Sequence, residues 1–253
     1  MLLLTRTFKA IFSIYAFASF LLVMFLIFPF VIIASFFGKV VGGNIIYILC
    51  RFWADTCLFL WGIRHRIIYE QPHDRSHPCI FVFNHNSYMD IPEMMVAIRQ
   101  NFRALGKAEM TKIPVFGFIY KNAVVTVDRS SAENRSKSVL TLKSVLKKNI
   151  SIALAPEGTF NMSHQPLKEF YDGAFKIAIE TQTPIKPIIF LDAVDRLHYS
   201  SVFSFNPGKL RTVYLEEVGV DGLDIKDVNL LKQKVYSRME EAIIRYKASW
   251  VQS

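Results

Sequence analysis

The hydrophobic pattern divides the chain into an almost uncharged N-terminal part and an alternating remainder. No charged residue occurs from Ala10 to Gly38, a segment rich in Phe, Ile, Leu and Val. As a helix this segment measures roughly 40 Å, more than the roughly 30 Å of a bilayer's hydrocarbon core. A cleaved signal peptide would have a shorter apolar stretch and a small-residue cleavage site. The pattern therefore favours a retained membrane segment, kinked at Pro29.

A second apolar stretch runs from Val40 to Ile63 and contains two charged residues, Arg51 and Asp55. A charge at mid-bilayer is costly, so this stretch is poorly suited to a simple span. Three glycines allow the chain to bend between the two stretches: Gly38, Gly42 and Gly43. A two-helix hairpin dipping into one leaflet and a single true span both stay open. Residues 1–62 are expected to form a membrane-anchoring helical segment.

After residue 62, short apolar runs alternate with helical patterns. The expected strands are Arg64–Tyr69, Cys79–Phe83, Phe102–Gly106, Ala123–Val127, Ser151–Ala155, Ile185–Leu191 and Leu210–Glu216. The expected helices are Ile91–Arg99, Ala132–Lys148, Gly173–Thr181 and Asp227 to about Lys247. Buried strands alternating with helices predict an α/β fold over residues 63–253, with a central, largely parallel sheet of about seven strands flanked by helices.

The net charge of +9 suits an anionic partner. Beside an apolar N-terminus, a membrane surface explains this charge more simply than nucleic acid, for which no basic run with interleaved aromatics is present. The three cysteines, Cys50, Cys57 and Cys79, lack CxxC spacing, which argues against a disulfide framework or a zinc site. Reduced thiols fit a protein of the cell membrane whose catalytic domain lies on the cytoplasmic face.

The first candidate for chemistry is the pair His85 and Asp90, which directly follows an apolar strand. Carboxyl ends of strands are where α/β sheets build their sites. The two side chains can meet only if the backbone turns between them, and Asn86 and Ser87 are suitable turn residues. An Asp that accepts from one imidazole nitrogen leaves the other free to take a proton. The alternative is structural: Asp90 as a helix N-cap, with Glu93 three residues on.

A second polar block, Pro156-Glu157-Gly158-Thr159, also follows an apolar strand. Glu157 can bind an acceptor hydroxyl or headgroup, or orient neighbouring loops. Taken alone, it is more consistent with an acid in an ordinary turn. The block gains weight only from its combination with His85 and Asp90.

Together these blocks resemble the 1-acylglycerol-3-phosphate acyltransferase family, glycerolipid acyltransferases with a His-x4-Asp motif. The similarity covers about Phe81 to Phe190 and keeps the order of the family's motifs. The matching segments are Asn84-His85 with Asp90, Lys107 with Lys112–Gly117, Val125–Arg129, Pro156–Thr159, and Phe170 with Gly173–Phe175 and Pro184–Pro187.

The resemblance implies that His85, oriented by Asp90, removes the proton from an acceptor hydroxyl as that oxygen attacks an acyl thioester. It implies substrate binding by five residues: Lys107, Arg129, Glu157, Gly158 and Thr159. The implied acceptor is the sn-2 hydroxyl of 1-acylglycerol-3-phosphate, and the product is phosphatidic acid. The donor is acyl-CoA or acyl-carrier protein, and no metal or other cofactor is expected. The sequence leaves the oligomeric state open.

Two departures from the family pattern bear on the acceptor. The third motif usually continues with Arg, where this chain has Phe160, and the Phe-Lys-x-Gly element reads Phe170-Tyr171-Asp172-Gly173. Two cations expected around a phosphate are therefore missing. Other basic residues can compensate, among them Lys107, Lys121, Arg129, Arg135 and Lys168. The alternative acceptor is a lyso-aminolipid, such as an ornithine or glycine lipid, which needs less cationic charge.

Two further hypotheses compete with acyl transfer. A non-catalytic lipid-binding membrane protein could keep this fold, although the intact pair of His85 and Asp90 argues against it. A lipid hydrolase would use water in place of the acceptor alcohol. No G-x-S-x-G nucleophile elbow is present, which argues against hydrolysis through an acyl-enzyme.

Overall fold

A seven-stranded sheet forms the centre of the computed structural model. The structure describes residues 2–128 and 131–251, apart from the side chains of residues 2–6, 132 and 135. Its strands are β1 Ile63–Tyr69, β2 Ile80–Phe83, β3 Phe102–Lys107, β4 Val125–Val127, β5 Ser151–Leu154, β6 Ile185–Phe190 and β7 Gly208–Tyr214. They lie in the order β1-β7-β6-β2-β5-β3-β4. All neighbouring pairs are parallel except β6 with β7, so five strands run one way and two the other.

Helices cover both faces of this sheet. The helices are α1 Leu2–Ser35, α2 Gly43–Leu60, α3 Asp90–Ala97, α4 Phe116–Ala123, α5 Ala132–Leu146, α6 Gly173–Thr181, α7 Ala193–Arg196 and α8 Val228–Arg245. Side chains alternate along each strand, so Phe81 and Phe83 of β2 join the core beneath α1 to α4. Ile80 and Val82 join the core beneath α5, α6 and α8.

The two N-terminal helices form an antiparallel pair joined by a π-helical turn at Gly38–Gly42. Trp53 of α2 donates its indole N–H to the carbonyl of Phe20, and Tyr15 donates its hydroxyl to the carbonyl of Leu60. By length and composition, Thr7–Ser35 and Gly38–Leu60 can each cross a membrane. Only one side of each helix packs inward, since about 33% and 44% of the two segments is buried.

Both ends of this helix pair contact the rest of the protein. At the turn, the buried guanidinium of Arg103 in β3 donates to the carbonyls of Lys39 (3.0 Å) and Val40 (3.2 Å). At the other end, Ser13 accepts the backbone N–H of Phe205 at 3.2 Å. The pair therefore lies along the sheet domain and does not project from it.

The expected fold class is confirmed, and each observed strand overlaps its predicted segment closely. The two helices α4 and α7 were not predicted, because each is short and lacks a long apolar period. Helix α2 packs against the sheet side of the molecule along its buried face, and the choice between a single span and a two-helix hairpin in the membrane stays a prediction. The domain division at residue 62 stays a prediction, and the apolar core beneath α1 to α4 is shared by both sides of it.

Candidate active site

The predicted site residues follow strands that are neighbours in the sheet. Strands β2, β5, β3 and β4 are adjacent and parallel, so their carboxyl ends meet at one edge. His85 follows β2, Glu157 follows β5 and Lys107 ends β3. Lys107 is exposed and lies two strands away from β2. Arg129 follows β4 but lies outside the described residues.

The imidazole of His85 is held by the carboxylate of Asp90. His85 Nδ1 lies 2.7 Å from Asp90 Oδ2, which also accepts the backbone N–H groups of Asn86 and Ser87 at 3.0 Å each. Asp90 is buried, whereas 27% of the His85 side chain is exposed. An Nδ1–H donated to Asp90 leaves Nε2 with its lone pair free, and Nε2 has no partner in the described part of the chain. This is the arrangement of an oriented general base.

The N-cap interpretation of Asp90 is wrong. Helix α3 begins at Asp90 itself, and the residue before it, Met89, makes no side-chain cap. The Asp90 carboxylate points back to the amides of Asn86 and Ser87, not forward to the first turn of the helix. The carboxylate therefore stabilises the turn that brings it to His85.

Two buried side chains fix this turn to neighbouring elements. Asn84 donates its amide to the carbonyl of Phe190 (3.0 Å) and accepts the N–H of the same residue (2.9 Å), which joins the ends of β2 and β6. The Ser87 hydroxyl donates to the carbonyl of Leu197 at 2.5 Å and accepts the N–H of Met89. The sequence indicated Ser87 only as a turn residue, and this anchoring role depends on tertiary contacts.

A second buried carboxyl, that of Glu93, lies one helical turn after Asp90. Its Oε1 accepts the hydroxyl of Thr212 at 2.7 Å, and His65 lies 3.0 Å from that hydroxyl. Burial raises the pKa of Glu93 well above its ordinary value, and burial lowers the pKa of His65 to about 4. Burial therefore favours the neutral form of both groups.

Glu157 connects the loop after β5 to the loop after β2. Its Oε1 accepts the N–H of His85 and its Oε2 accepts the N–H of Lys168, each at 2.9 Å. Burial raises the pKa of Glu157 to about 7, and the two amide donors oppose that rise. The carbonyl of His85 also accepts the N–H of Asn161. Glu157 is thus a positioning residue for the His85 loop.

Lys168 is a cation in direct contact with the Pro156–Thr159 block. Its ammonium donates to the Thr159 hydroxyl at 2.7 Å. Gly158 adopts a φ of 71°, in the left-handed region that glycine tolerates best. The side chain of Arg135, another possible compensating cation, lies outside the description. Lys168 was one of five sequence candidates, and only the path of the loop distinguishes it.

Phe160 forms an aromatic wall beside His85 and Asp90. Its ring lies 4.4 Å from that of His85 and 4.8 Å from that of Tyr88, both nearly edge-to-face. Where the family pattern has a cation, this chain therefore has a ring in contact with the imidazole. Tyr88 is half exposed, so the wall borders an open side of the site. No sequence signal indicated this contact.

The described residues contain no group of three or more His, Cys, Asp or Glu side chains placed to hold a metal ion. The polar groups at this edge are instead a base with its carboxylate partner, a lysine and several backbone amides. These groups can remove a proton and bind an anion.

Comparison with known proteins agrees with this chemistry. The family described as Acyltransferase matches residues 65–191, which include every site residue predicted from the sequence. The chain is 26% identical to an uncharacterized acyltransferase of Schizosaccharomyces pombe, over 84% of this chain and 78% of that protein. It is 24% identical to the human 1-acyl-sn-glycerol-3-phosphate acyltransferase beta, over 74% of this chain and 67% of that protein.

One solved structure has a similar fold. It is the 1-acyl-sn-glycerophosphate (LPA) acyltransferase PlsC of Thermotoga maritima, with a TM-score of 0.71 and 21% identity. The alignment covers 96% of this chain and all of that one, so it includes the N-terminal helix pair. The fold, the pairing of His85 with Asp90 at the sheet edge and the family match lead to one conclusion: the chain belongs to the acyltransferase family and is an acyltransferase of the glycerolipid type.

Proposed function

We propose that the protein transfers a fatty acyl chain from a thioester to the sn-2 hydroxyl of 1-acylglycerol-3-phosphate and so forms phosphatidic acid. The observation that carries this proposal is the pairing of His85 Nδ1 with Asp90, which leaves Nε2 available at a partly exposed position. Relatives named as 1-acyl-sn-glycerol-3-phosphate acyltransferases support the choice of acceptor.

The reaction requires one base and no covalent acyl-enzyme. His85 Nε2 takes the proton from the acceptor hydroxyl while its oxygen attacks the thioester carbonyl. The tetrahedral intermediate then expels the thiolate, which recovers the proton from the imidazolium. The Asp90 carboxylate stabilises the imidazolium between these two steps. The donor is an acyl-CoA or an acyl-carrier protein, which both present the same thioester.

The acceptor phosphate is proposed to bind beside the Pro156–Thr159 block. Lys168 supports this location, because its ammonium already lies on the Thr159 hydroxyl. Arg129 and Lys107 follow neighbouring strand ends and are proposed to supply further positive charge. Glu157 acts indirectly, by holding the amides of His85 and Lys168.

The helix pair is proposed to bind the protein to one leaflet of the cell membrane, with the catalytic domain on the cytoplasmic face. Its turn is held by Arg103 and its other end by the contact of Ser13 with Phe205. A pair fastened at both ends cannot cross the bilayer while the domain stays on one side. Exposed aromatic and aliphatic residues along α1 support burial of its outer side in lipid.

A lyso-aminolipid is a second candidate acceptor, favoured by one observation. The Phe160 ring packs on His85 at the position where the family pattern has a cation. An acceptor with a zwitterionic headgroup needs fewer cations than a phosphomonoester. The experiment must therefore compare the two acceptor lipids directly.

The test measures release of free thiol from a palmitoyl thioester in mixed micelles, and product mass, with each of two acceptors. Lysophosphatidate is expected to give phosphatidic acid, and a lyso-ornithine lipid is expected to give little product. His85→Ala is expected to lower the rate by at least about a hundredfold, because general-base catalysis contributes about 10²–10⁴.

His164→Ala is the matched control, because His164 is exposed and lies outside the His85 loop. It is expected to keep the wild-type rate. A His85→Ala protein that retains full transfer would refute the general-base assignment. Faster transfer to the ornithine lipid would mean that the acceptor is an aminolipid, while the general-base mechanism would stand. Thiol release without any acceptor would indicate hydrolysis of the thioester.

A further inference from the structure

A cavity of about 440 Å³ opens at the edge of the sheet opposite to His85. Its lining includes Asn101, directly before β3, and Asn149, two residues before β5. Because β2, β5 and β3 are parallel, their beginnings lie at one edge and the catalytic residues at the other. Helix α3 starts at Asp90 and ends near the cavity, about 12 Å further along its axis. The cavity is therefore separate from the catalytic site.

Three arginines, Arg51, Arg75 and Arg99, line this cavity, which is called the arginine pocket below. No carboxylate is among the residues that line it. Three carboxylates lie nearby: Asp55 is 4.0 Å from Arg99, and Asp74 and Glu217 lie 3.3 and 3.2 Å from His77, so none of the three forms an ion pair with Arg51 or Arg75.

Arg51 has no hydrogen-bond or ion-pair partner in the described part of the chain, and Arg75 contacts only the Tyr69 hydroxyl, at 3.4 Å. The pocket is thus a concentration of guanidinium groups whose donors are largely unused. Each guanidinium can present two parallel N–H groups to a phosphate.

One wall of the arginine pocket belongs to the apolar helix α2. Ile48 lines the pocket and is 53% exposed, and Arg51 follows it by less than one turn. Phe52 is exposed on the same helix. An unpaired arginine in such a helix is costly in hydrocarbon but suited to the level of the headgroups. The pocket therefore places cations where an apolar surface begins.

We propose that the arginine pocket binds the phosphate of an anionic membrane phospholipid that is not a substrate. The guanidinium groups hold the phosphate, and Ile48 with the exposed side of α2 contacts the start of the acyl chains. The combination of charge and an adjacent apolar helix favours a lipid over a free phosphate ion. A lipid bound there would fix the orientation of the protein on an anionic leaflet, independently of acyl transfer at His85.

The experiment compares wild-type protein with the triple variant Arg51→Gln/Arg75→Gln/Arg99→Gln. Binding is measured on phosphatidylcholine vesicles with and without phosphatidylglycerol. Native mass spectrometry of detergent-released protein then counts retained phosphatidylglycerol. The control, Lys226→Gln/Lys234→Gln/Lys247→Gln, removes the same charge from exposed positions on and around α8, across the sheet.

The triple variant is expected to retain no phosphatidylglycerol in native mass spectrometry. Its affinity for vesicles that contain phosphatidylglycerol is expected to fall by up to about a hundredfold, since each cation contributes about fivefold. The control is expected to keep both the retained lipid and most of this affinity. The double variant Arg75→Gln/Arg99→Gln changes only exposed side chains and serves if the triple variant misfolds. Acyl transfer in neutral micelles, expected to be unchanged, confirms that the variants are folded.

Equal losses in the triple variant and the control would overturn the proposal, because they would indicate general attraction to the surface. Unchanged lipid retention in the triple variant would overturn it as well. A calorimetric titration with inorganic phosphate tests whether the arginine pocket binds a free anion instead. Tight binding of phosphate by wild-type protein, without retained phosphatidylglycerol, would mean a site for a free anion and not for a lipid.

Discussion

At the level of single residues, buried carboxylates and backbone donors shape the edge of the sheet that carries His85. Asp90 is buried with three hydrogen-bond donors on one oxygen, one of them His85, so it orients the imidazole without solvent competition. Glu157 has only two amide donors, and burial dominates its titration. The sequence identified all three residues. The contact of Lys168 with Thr159 and that of Phe160 with His85 depend on the loop path, which has no periodic pattern to reveal it.

Glu157 is predicted to make stability depend on pH in a defined direction. Its pKa is about 7 when folded and about 4.5 when unfolded, so between these values the folded protein holds a proton that the unfolded chain has lost. Its contribution to stability is therefore full below about pH 4.5 and is lost as the pH rises through about 7. Relative to Glu157→Gln, the unfolding free energy of the wild type should fall by up to about 3 kcal/mol across this window.

Thermal unfolding in detergent at about pH 5 and about pH 8 measures this difference. Glu169→Gln controls for the loss of one negative charge, because Glu169 is exposed. The raised pKa of Glu157 would be contradicted if the unfolding free energy of the wild type, minus that of Glu157→Gln, stayed constant or increased from about pH 5 to about pH 8.

At the level of elements, close backbone approaches decide how the helices dock. A Cβ on Gly117 would lie 2.2 Å from the carbonyl oxygen of Thr111, so glycine is required where α4 packs on the preceding turn. The sequence matched Gly117 to a family motif but did not predict α4, because eight residues hold too little periodic signal. Arg103 has a similar role in β3, where its buried guanidinium binds the turn between α1 and α2.

Arg103→Ala is predicted to loosen the helix pair from the sheet. The substitution removes the guanidinium that donates to the carbonyls of Lys39 and Val40 and to the side chain of Asn44. Loss of a buried, charged hydrogen-bonding group costs about 3 kcal/mol or more. The melting temperature should fall, and trypsin should cleave faster after Lys39.

Arg238→Gln is the control for Arg103, because Arg238 forms an ion pair with the exposed carboxylate of Glu216 and its loss should cost less than about 1 kcal/mol. Equal tryptic cleavage after Lys39 in the Arg103→Ala variant and the wild type would contradict the proposed docking role of Arg103.

At the level of the whole molecule, one face of the sheet carries the helix pair and the other carries α5, α6 and α8. Large apolar side chains remain exposed along the outer side of α1, which is unusual for a protein surface in water. The edge of the sheet that carries His85 lies opposite to the edge that carries the arginine pocket. This arrangement gives the molecule one strongly apolar side, which is the side proposed to face the membrane.

The double variant Phe17→Asp/Phe25→Asp is predicted to weaken binding to neutral phosphatidylcholine vesicles by about a hundredfold or more, because each buried Phe contributes about 1.5–3 kcal/mol. Both side chains are more than half exposed, so the melting temperature should stay the same. Vesicle flotation measures the binding. The control, Leu230→Asp/Ile244→Asp, changes equally exposed residues of α8 and should bind as the wild type does. Equal effects of the two pairs would show that α1 is not the membrane-facing side.

The sequence by itself determined the periodicities, and through them the sheet, most of its helices and the apolar N-terminus, and it also indicated the pairing of His85 with Asp90. These are local properties, since a strand, a helix and a five-residue turn are each encoded by neighbouring residues. Only the tertiary structure decided that both helices lie along the domain, that Lys168 reaches Thr159 and that Arg51, Arg75 and Arg99 share one cavity. Those contacts join residues far apart in the chain, and their geometry is fixed by packing.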